Sequence, residues 1–142
     1  KNDRVVFLSD YAHHPSEIKQ SVLSIRELYK DKKITAIFQP HLYTRTRDFY
    51  KDFASSLSLL DEVILVDIYP AREQPIPGVT SQLIYDNLRP GIEKCMCKKE
   101  EILNILENKN IEVLITLGAG DIDNYVPSIT EKLNTRLNKP QS

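Results

Sequence analysis

Short runs of continuously apolar residues alternate along this chain with segments in which apolar residues recur at helical spacing. The clearest runs are residues 5–8, 34–38, 63–66 and 113–117, and a weaker one surrounds Cys95. A strand that is apolar at every position is typical of a sheet covered on both faces. Strands that alternate with helices favour parallel pairing through right-handed crossovers. We therefore predict an α/β fold with a doubly wound, mostly parallel, Rossmann-like sheet and helices on both faces.

Helix starts can be recognised in the segments between these strands. Pro15 stands where a first helical residue is favoured, Thr46 is a candidate cap for the second helix, and Thr80 or Ser81 can open the third. The predicted helices cover residues 15–30, 46–60, 80–89, 100–109 and 125–137.

Composition argues against several classes of protein. The 19 basic and 20 acidic side chains give a net charge of −1, so nothing in the bulk charge attracts nucleic acid or an anionic membrane. No run reaches the roughly 20 apolar residues that a membrane span needs. Cys95 and Cys97 form a C-x-C, which is not a redox C-x-x-C, and on a strand both would point to one face as small apolar residues. We expect a cytoplasmic protein.

The first residues and the missing motifs indicate a fragment of a larger protein that holds part of a site. The chain begins at Lys1 without an initiator methionine and enters an apolar run at once, so we expect residues 1–142 to be one domain of a larger protein. It contains no G-x-x-x-x-G-K-[ST] phosphate loop and no G-x-S-x-G nucleophile elbow. By itself the domain would therefore supply only half of a site.

Polar and titratable residues concentrate where the predicted strands end. In an open parallel sheet the ligand site lies beyond the carboxyl ends of the strands. The loops that follow the first two strands hold all three histidines of the chain, two arginines and two tyrosines. A glycine turn follows the last strand. These residues are His13, His14, His41, Arg45, Arg47, Tyr11, Tyr43, Gly118 and Gly120. This edge is the candidate site.

Each of these residues also has a purely structural interpretation. His13 and His14 precede a helix and could cap it as readily as bind a ligand; their adjacency argues against a shared zinc ion. Arg45 and Arg47 could hold a phosphate or carboxylate together with free amides at a helix start. Arg47 could equally pair with its neighbour Asp48.

A signalling receiver domain is the alternative from another functional class. Such a domain is also a five-stranded doubly wound fold, and Asp67 ends the third strand where a phosphoacceptor would stand. However, the first strand ends with a single carboxylate, Asp10, and the last strand ends in Leu117-Gly118, with no lysine there to meet the phosphate. The histidines and arginines would also have no role in a receiver.

Four segments, in order and at fitting spacing, resemble one known family. They are D-Y-A-H-H-P at residues 10–15, F-Q-P-H-L-Y-T-R-T-R-D at 38–48, Y-P-A-R-E-Q-P-I-P-G at 69–78 and G-A-G-D-I at 118–122. Together they resemble the carboxy-terminal domain of Mur ligases, in the branch that adds L-alanine. Leu42 departs from the pattern, since the family often has arginine there.

This resemblance implies an activity that the whole protein would perform. It implies ATP-dependent ligation of L-alanine to UDP-N-acetylmuramate through an acyl phosphate, a step of peptidoglycan precursor synthesis. An amino-terminal domain would hold the UDP-sugar, and a central domain the phosphate loop and most ligands of Mg²⁺. A ligase of the same family that recycles muramyl tripeptide is the alternative. The branches that add D-glutamate or diaminopimelate usually carry asparagine at the position of His14.

The resemblance also implies roles for individual residues. Asp10, His13 and His14 would contact the ribose and phosphates of ATP. Tyr11, His41 and Arg45 would surround alanine, with Arg45 reaching its carboxylate or the acyl phosphate. Arg47 is the second candidate for an anion contact. His41 and Arg45 are the candidate catalytic residues, and no metal ligand is assigned to this chain.

Overall fold

The computed structural model describes residues 5–118 and 120–138, and its centre is a five-stranded sheet in which every pairing is parallel. The spatial order is β1-β5-β2-β3-β4. This is the predicted fold class. The strands are β1 Val6–Asp10, β2 Ile34–Phe38, β3 Glu62–Leu65, β4 Glu93–Met96 and β5 Val113–Leu117.

Among the described residues, four α-helices connect the strands and a fifth follows the last strand, and together they cover both faces of the sheet. They are α1 Pro15–Leu28, α2 Tyr43–Leu57, α3 Gln82–Asp86, α4 Ile102–Glu107 and α5 Val126–Asn138. Turns of 3₁₀ helix, Lys99–Glu101 and Asp121–Tyr125, precede α4 and α5. Within the ranges given above, no helix is long and apolar enough to cross a membrane.

Two apolar cores lie on opposite faces of the sheet. Helices α1, α2 and α3 pack on one face, while α4 and α5 pack on the other. Side chains alternate between the faces along each strand, so Phe38 faces the first core and Ile37 the second. Cys95 and Cys97 both pack towards the second core, as the sequence suggested, and burial raises the pKa of Cys97 to about 12.

The first strand is less buried than its composition suggests. We predicted a strand buried on both faces, but within the described residues β1 pairs with β5 alone and lies at an edge of the sheet. Its residues are half-buried, and Ser9 is exposed. The prediction of burial was wrong because the last strand of the chain is inserted between β1 and β2, which no local pattern reveals.

Helix α2 begins earlier than its predicted cap. The cap was expected at Thr46, but the helix starts at Tyr43 and Leu42 occupies the N-cap position. Thr46 is buried inside the first turn, where its hydroxyl donates to the Leu42 carbonyl at 2.9 Å. Helix α3 starts after Ser81 as predicted, although the Ser81 hydroxyl donates to the Val66 carbonyl and caps nothing.

A buried ion cluster lies at the opposite, amino-terminal edge of the sheet. The Glu62 side chain is 1% exposed and contacts Lys109 Nζ at 2.5 Å and Lys33 Nζ at 3.3 Å. Thr35 also donates to it at 3.2 Å. Burial alone would raise the pKa of Glu62, but the two lysines outweigh it and hold that pKa below its usual value.

Candidate functional site

Gln39 joins the ends of β2 and β5 at the carboxyl edge of the sheet. Its buried amide donates to Asp121 at 2.7 Å, and its oxygen accepts from the Ile122 N–H at 2.9 Å. Lys99 forms an ion pair with the same aspartate. Although burial raises the pKa of Asp121, Lys99 and Gln39 together hold it below its usual value. The last loop is therefore fixed against the second one.

The glycine turn makes room for this contact. A Cβ atom on Gly120 would lie 2.5 Å from the Tyr69 ring and 2.6 Å from the Gln39 amide oxygen. Gly118 has a φ of +146° and also packs against the Gln39 backbone. The turn thus serves a close approach of neighbouring loops, as expected for glycine. Ala119, between them, lies outside the described residues.

His41 lies at the centre of the edge, half-buried between three side chains. Its ring stacks on Tyr69, with centroids 5.6 Å apart, and meets the edge of the His13 ring at 5.3 Å. Its Nδ1 lies 3.1 Å from Nη1 of Arg45. A guanidinium can only donate, so this nitrogen carries no proton and the neutral ring is protonated on Nε2. Burial, followed by His13 and Arg45, lowers the pKa of His41.

Arg45 and Arg47 occupy different electrostatic environments. Arg45 is half-buried, and among the described residues His41 is its side-chain partner while no carboxylate pairs with it. Arg47 is exposed and forms two hydrogen bonds with Asp48, at 2.9 and 3.4 Å. Arg47 thus pairs with its neighbour Asp48, whereas Arg45 has no carboxylate counterion among the described residues.

The start of α2 holds a carboxylate of the protein itself. Glu73, from the proline-rich loop after β3, accepts from the Thr44 N–H at 3.1 Å and from the Thr44 hydroxyl. The hydroxyl bond contributes most to lowering the pKa of Glu73. Free amides at this helix start were one candidate for binding an anion, but the Thr44 N–H already donates to Glu73.

The adjacent histidines of the first loop separate, as their spacing suggested. His14 is the N-cap of α1: its Nδ1 accepts from the Ser16 N–H at 3.5 Å, and Glu17 accepts from both the His13 and His14 N–H groups in return. His13 instead turns towards His41. Nowhere in residues 5–118 and 120–138 do three or more potential ligand side chains form a group that could hold a metal ion.

An open groove of about 470 Å³ runs beside the first loop and α1. Asp10 lies at its edge, where one carboxylate oxygen accepts from the Ala12 N–H at 2.9 Å and the other from the Ser21 hydroxyl. Tyr11 also lines it, 62% exposed, and its hydroxyl donates to Asp123 at 3.0 Å, which raises the pKa of Tyr11. Tyr11 therefore points to the last loop and not to His41.

Comparison with known proteins decides the family. A family model described as "Mur ligase, glutamate ligase domain" matches residues 1–121. The chain belongs to the Mur ligase family. The receiver alternative is thereby removed, and Asp67, its supposed phosphoacceptor, is simply an exposed residue after β3.

Two similar relatives in the Mur ligase family carry the same name. The chain is 84% identical over 136 residues to a UDP-N-acetylmuramate–L-alanine ligase of Phocaeicola vulgatus, covering 96% of this chain and 30% of that protein. It is 56% identical over 140 residues to the enzyme of that name from Parabacteroides distasonis, covering 99% of this chain and again 30% of the relative. The chain thus spans less than a third of the length of these relatives.

A solved Mur ligase has the same architecture. The crystal structure of the UDP-N-acetylmuramate–alanine ligase of Thermotoga maritima superposes with a TM-score of 0.70 at 27% identity. The match covers 92% of this chain and 27% of the other. The five-stranded parallel sheet and its helices are therefore those of a domain found within larger Mur ligases.

The structure brings some predicted site residues together and separates others. His13, His41 and Arg45 meet at one point, whereas Tyr11, His14 and Arg47 turn to other partners. Sequence reasoning missed three contributors, Gln39, Thr44 and Glu73. Leu42, directly before α2, was the available signal for Thr44 and Glu73. A helix whose N-cap side chain cannot accept a hydrogen bond needs an acceptor from elsewhere in the chain.

Proposed function

We propose that this chain is the carboxy-terminal domain of an ATP-dependent ligase that joins L-alanine to UDP-N-acetylmuramate. The observation that carries the proposal is the half-buried Arg45, which has a histidine and no carboxylate as side-chain partner in the described parts of the chain. Such a cation matches the carboxylate of a free amino acid. The shared name of the similar relatives supports this choice of substrate.

In the proposed reaction, ATP phosphorylates the carboxylate of UDP-N-acetylmuramate and leaves as ADP. The alanine amine, having lost a proton, attacks the carbon of the resulting acyl phosphate. The bond from carbon to the phosphate oxygen breaks, the amide nitrogen loses its second proton, and inorganic phosphate departs. Negative charge develops on oxygen during both transfers, so cationic groups stabilise the transition states.

Within this scheme the residues around His41 hold the amino acid. Arg45 binds the alanine carboxylate and can reach the acyl phosphate, while neutral His41 fixes the guanidinium through its Nδ1. Tyr11 and Arg47 are weaker candidates for the same substrate, because each is engaged by an aspartate. A small amino acid needs little beyond one carboxylate clamp and a confined space.

The first loop would contact the nucleotide. Asp10 and His13 line the groove beside α1, whose size suits part of a nucleotide, and His14 adjoins it at the N-cap of α1. Both Asp10 oxygens already accept hydrogen bonds, so a ribose hydroxyl would use the remaining lone pairs.

We assign no magnesium ligand to this chain: the metal of ATP would be held by the central domain, and the UDP-sugar by the amino-terminal domain. Because the reaction consumes ATP, we propose that it takes place in the cytoplasm.

Phosphate release by the full-length protein tests the proposal. The assay contains ATP, magnesium and UDP-N-acetylmuramate, with one amino acid at a time. Release should require L-alanine, and Arg45→Ala should raise the KM for alanine by about a hundred-fold, as expected when a charge-assisted pair is lost. Lys51→Ala removes an exposed cation of the same helix and is the matched control.

Other outcomes of this assay have distinct meanings. Release only with a preformed peptide would move the protein to the recycling branch of the family. Release that depends on alanine but survives Arg45→Ala unchanged would leave the reaction standing and remove Arg45 from the site. No release with any acceptor would refute the ligase assignment.

A further inference from the structure

Helix α2, which carries Arg45, begins without a cap of its own. The N-cap residue is Leu42, whose side chain cannot accept a hydrogen bond, and no side-chain cap is formed from that position. The first amides of a helix need acceptors from outside the helix. Leu42 also has a φ of +74°, a left-handed conformation that is costly for a leucine.

Glu73 supplies the missing acceptor from 29 residues away. Its two oxygens accept from the N–H and the hydroxyl of Thr44, in the first turn of the helix. A negative charge at this end of a helix is favoured by the aligned peptide dipoles, which is consistent with the lowered pKa of Glu73.

The loop that presents Glu73 is attached to the same backbone as His41. The Tyr69 N–H donates to the Pro40 carbonyl and the Leu42 N–H donates to the Tyr69 carbonyl, both at 2.8 Å. The turn from Pro70 to Glu73 also contains a left-handed residue, Ala71, with a φ of +54°. Strained residues persist only where surrounding contacts over-determine them. Here the strained residues lie on both sides of the contact between Glu73 and Thr44: Leu42 precedes Thr44, and Ala71 precedes Glu73.

We propose that Glu73 is a positioning residue of the amino-acid site: by capping α2 in place of Leu42, it sets where His41 and Arg45 stand. His41 precedes the cap by one residue, and Arg45 follows Thr44 directly. Without the contact between Glu73 and Thr44, the first turn of α2 would fray and the strained loop would relax. The Arg45 guanidinium would then move away from His41. This inference rests on the function proposed above. Glu73 itself would contact no substrate atom.

Steady-state kinetics of the full-length protein test the role of Glu73. In Glu73→Ala we expect the KM for L-alanine to rise about ten-fold, the scale of one hydrogen bond to a charged group. The KM values for ATP and UDP-N-acetylmuramate should change less than about two-fold, because other loops bind those substrates. Glu73→Gln keeps an oxygen acceptor for Thr44 and should recover most of the loss. Equal changes in all parameters, or none in the KM for alanine, would overturn the proposal.

A double-mutant cycle separates positioning from direct contact. Thr44→Val removes the hydroxyl donor while preserving the side-chain shape, and it is mild enough to fold. If Glu73 acts through the helix start, its effect and that of Thr44→Val are strongly non-additive. Additive effects would mean that Glu73 acts on the substrate independently. Glu101→Gln is the control, since Glu101 accepts from the Lys98 N–H at 2.7 Å and caps a different turn; it should leave the KM for alanine unchanged.

Hydrogen exchange of the same full-length variants makes the test independent of the reaction. Glu73→Ala should accelerate exchange at the amides of residues 43–46, and Glu101→Gln should not. Unchanged exchange there would refute the positioning role even if the protein ligates alanine. Faster exchange in a protein that releases no phosphate with any acceptor would overturn both proposals, since no amino-acid site would remain for Glu73 to position; faster exchange with a different acceptor would refute only the choice of alanine.

Discussion

His41 couples a protonation equilibrium to the position of a cation. Its Nδ1 accepts from Arg45, so a proton on that nitrogen would replace an attraction with a repulsion between two charges. The surroundings oppose this, since burial, His13 and Arg45 all lower the pKa of His41 from its ordinary value of 6.5. The neutral ring is therefore the working form at neutral pH.

We expect the KM for alanine to depend on pH through His41. Because the pKa of His41 lies below 6.5, the KM should be constant above that value and rise as pH falls through the lowered pKa. His41→Asn retains an acceptor but does not titrate, so its pH profile should be flatter at acidic pH. The measurement is the KM of the full-length protein between about pH 5 and 8. An identical acidic rise in the variant would assign the titration to another group.

Gly120 is expected to be intolerant of a side chain for steric reasons alone. Its φ is −96°, which any residue can adopt, but a Cβ would lie 2.5 Å from the Tyr69 ring. We expect Gly120→Ala to lower the free energy of unfolding by about 1–3 kcal/mol, as for other overpacked positions. Gly91 is the opposite case, because a Cβ there would have no atom within 4 Å but the φ is +86°. Gly91→Ala should therefore lower the free energy of unfolding by about 1 kcal/mol through backbone strain. Urea unfolding of both variants measures these costs, and a smaller cost for Gly120→Ala than for Gly91→Ala would contradict the steric account.

At the scale of elements, the two edges of the sheet are specialised differently. The carboxyl edge carries loops with strained residues, and its Arg45 pairs with no carboxylate in the described part of the chain. The amino edge carries the Glu62 cluster, which joins β3 to the loop before β2 and to the loop after α4 through Lys33 and Lys109. A buried carboxylate is tolerated there because its charge is compensated by two lysines.

Removing the charge of Glu62 should destabilise the fold in a pH-dependent way. We expect Glu62→Gln to lower the free energy of unfolding by about 2 kcal/mol at pH 7, since two lysines lose a shared partner but can still reach water. The folded-state pKa of Glu62 lies below 4.5, so this contribution is present above the unfolded pKa and is lost as pH falls through the folded value.

The corresponding measurement is urea unfolding of Glu62→Gln and the wild-type chain from pH 7 down to about pH 3. The difference between them should shrink below pH 4.5. Glu107→Gln is the matched control, because Glu107 also pairs with a lysine, Lys132, but is 57% exposed. That substitution should change stability by less than about 0.5 kcal/mol. A difference for Glu62→Gln that stays constant with pH would rule out the assigned titration.

For the whole molecule, we propose that the site is completed by other parts of a longer protein. The chain spans about 30% of the length of the relatives named above, and it carries no phosphate-loop motif. Its described residues nevertheless form one continuous five-stranded sheet with an apolar core on each face. A core of this size supports independent folding.

We therefore expect the 142-residue chain, produced alone, to fold cooperatively and yet be inactive. Circular dichroism and a single sigmoidal urea transition would report folding, and phosphate release with ATP, UDP-N-acetylmuramate and alanine would report activity. The full-length protein serves as the positive control. ATP hydrolysis or ligation by the fragment would show that the missing domains are dispensable.

Much of this could be predicted from the sequence because the relevant signals are local. The apolar run at residues 113–117 coincides with β5, and Pro15 begins α1. The carboxyl edge was correctly expected to gather His13, His41 and Arg45, since strands of one parallel sheet end on the same side.

Tertiary structure alone decided the rest, because it depends on residues far apart in the chain. Local patterns determine which segments become strands, but β5 lies between β1 and β2 only through pairing across the whole chain. The sequence placed Arg45 and Arg47 at the start of the same helix. Packing then determined their partners: Arg45 contacts His41, whereas Arg47 forms an ion pair with Asp48. Glu73 reaches Thr44 for the same reason: a hydrogen bond depends on separation in space, and separation along the chain does not determine it.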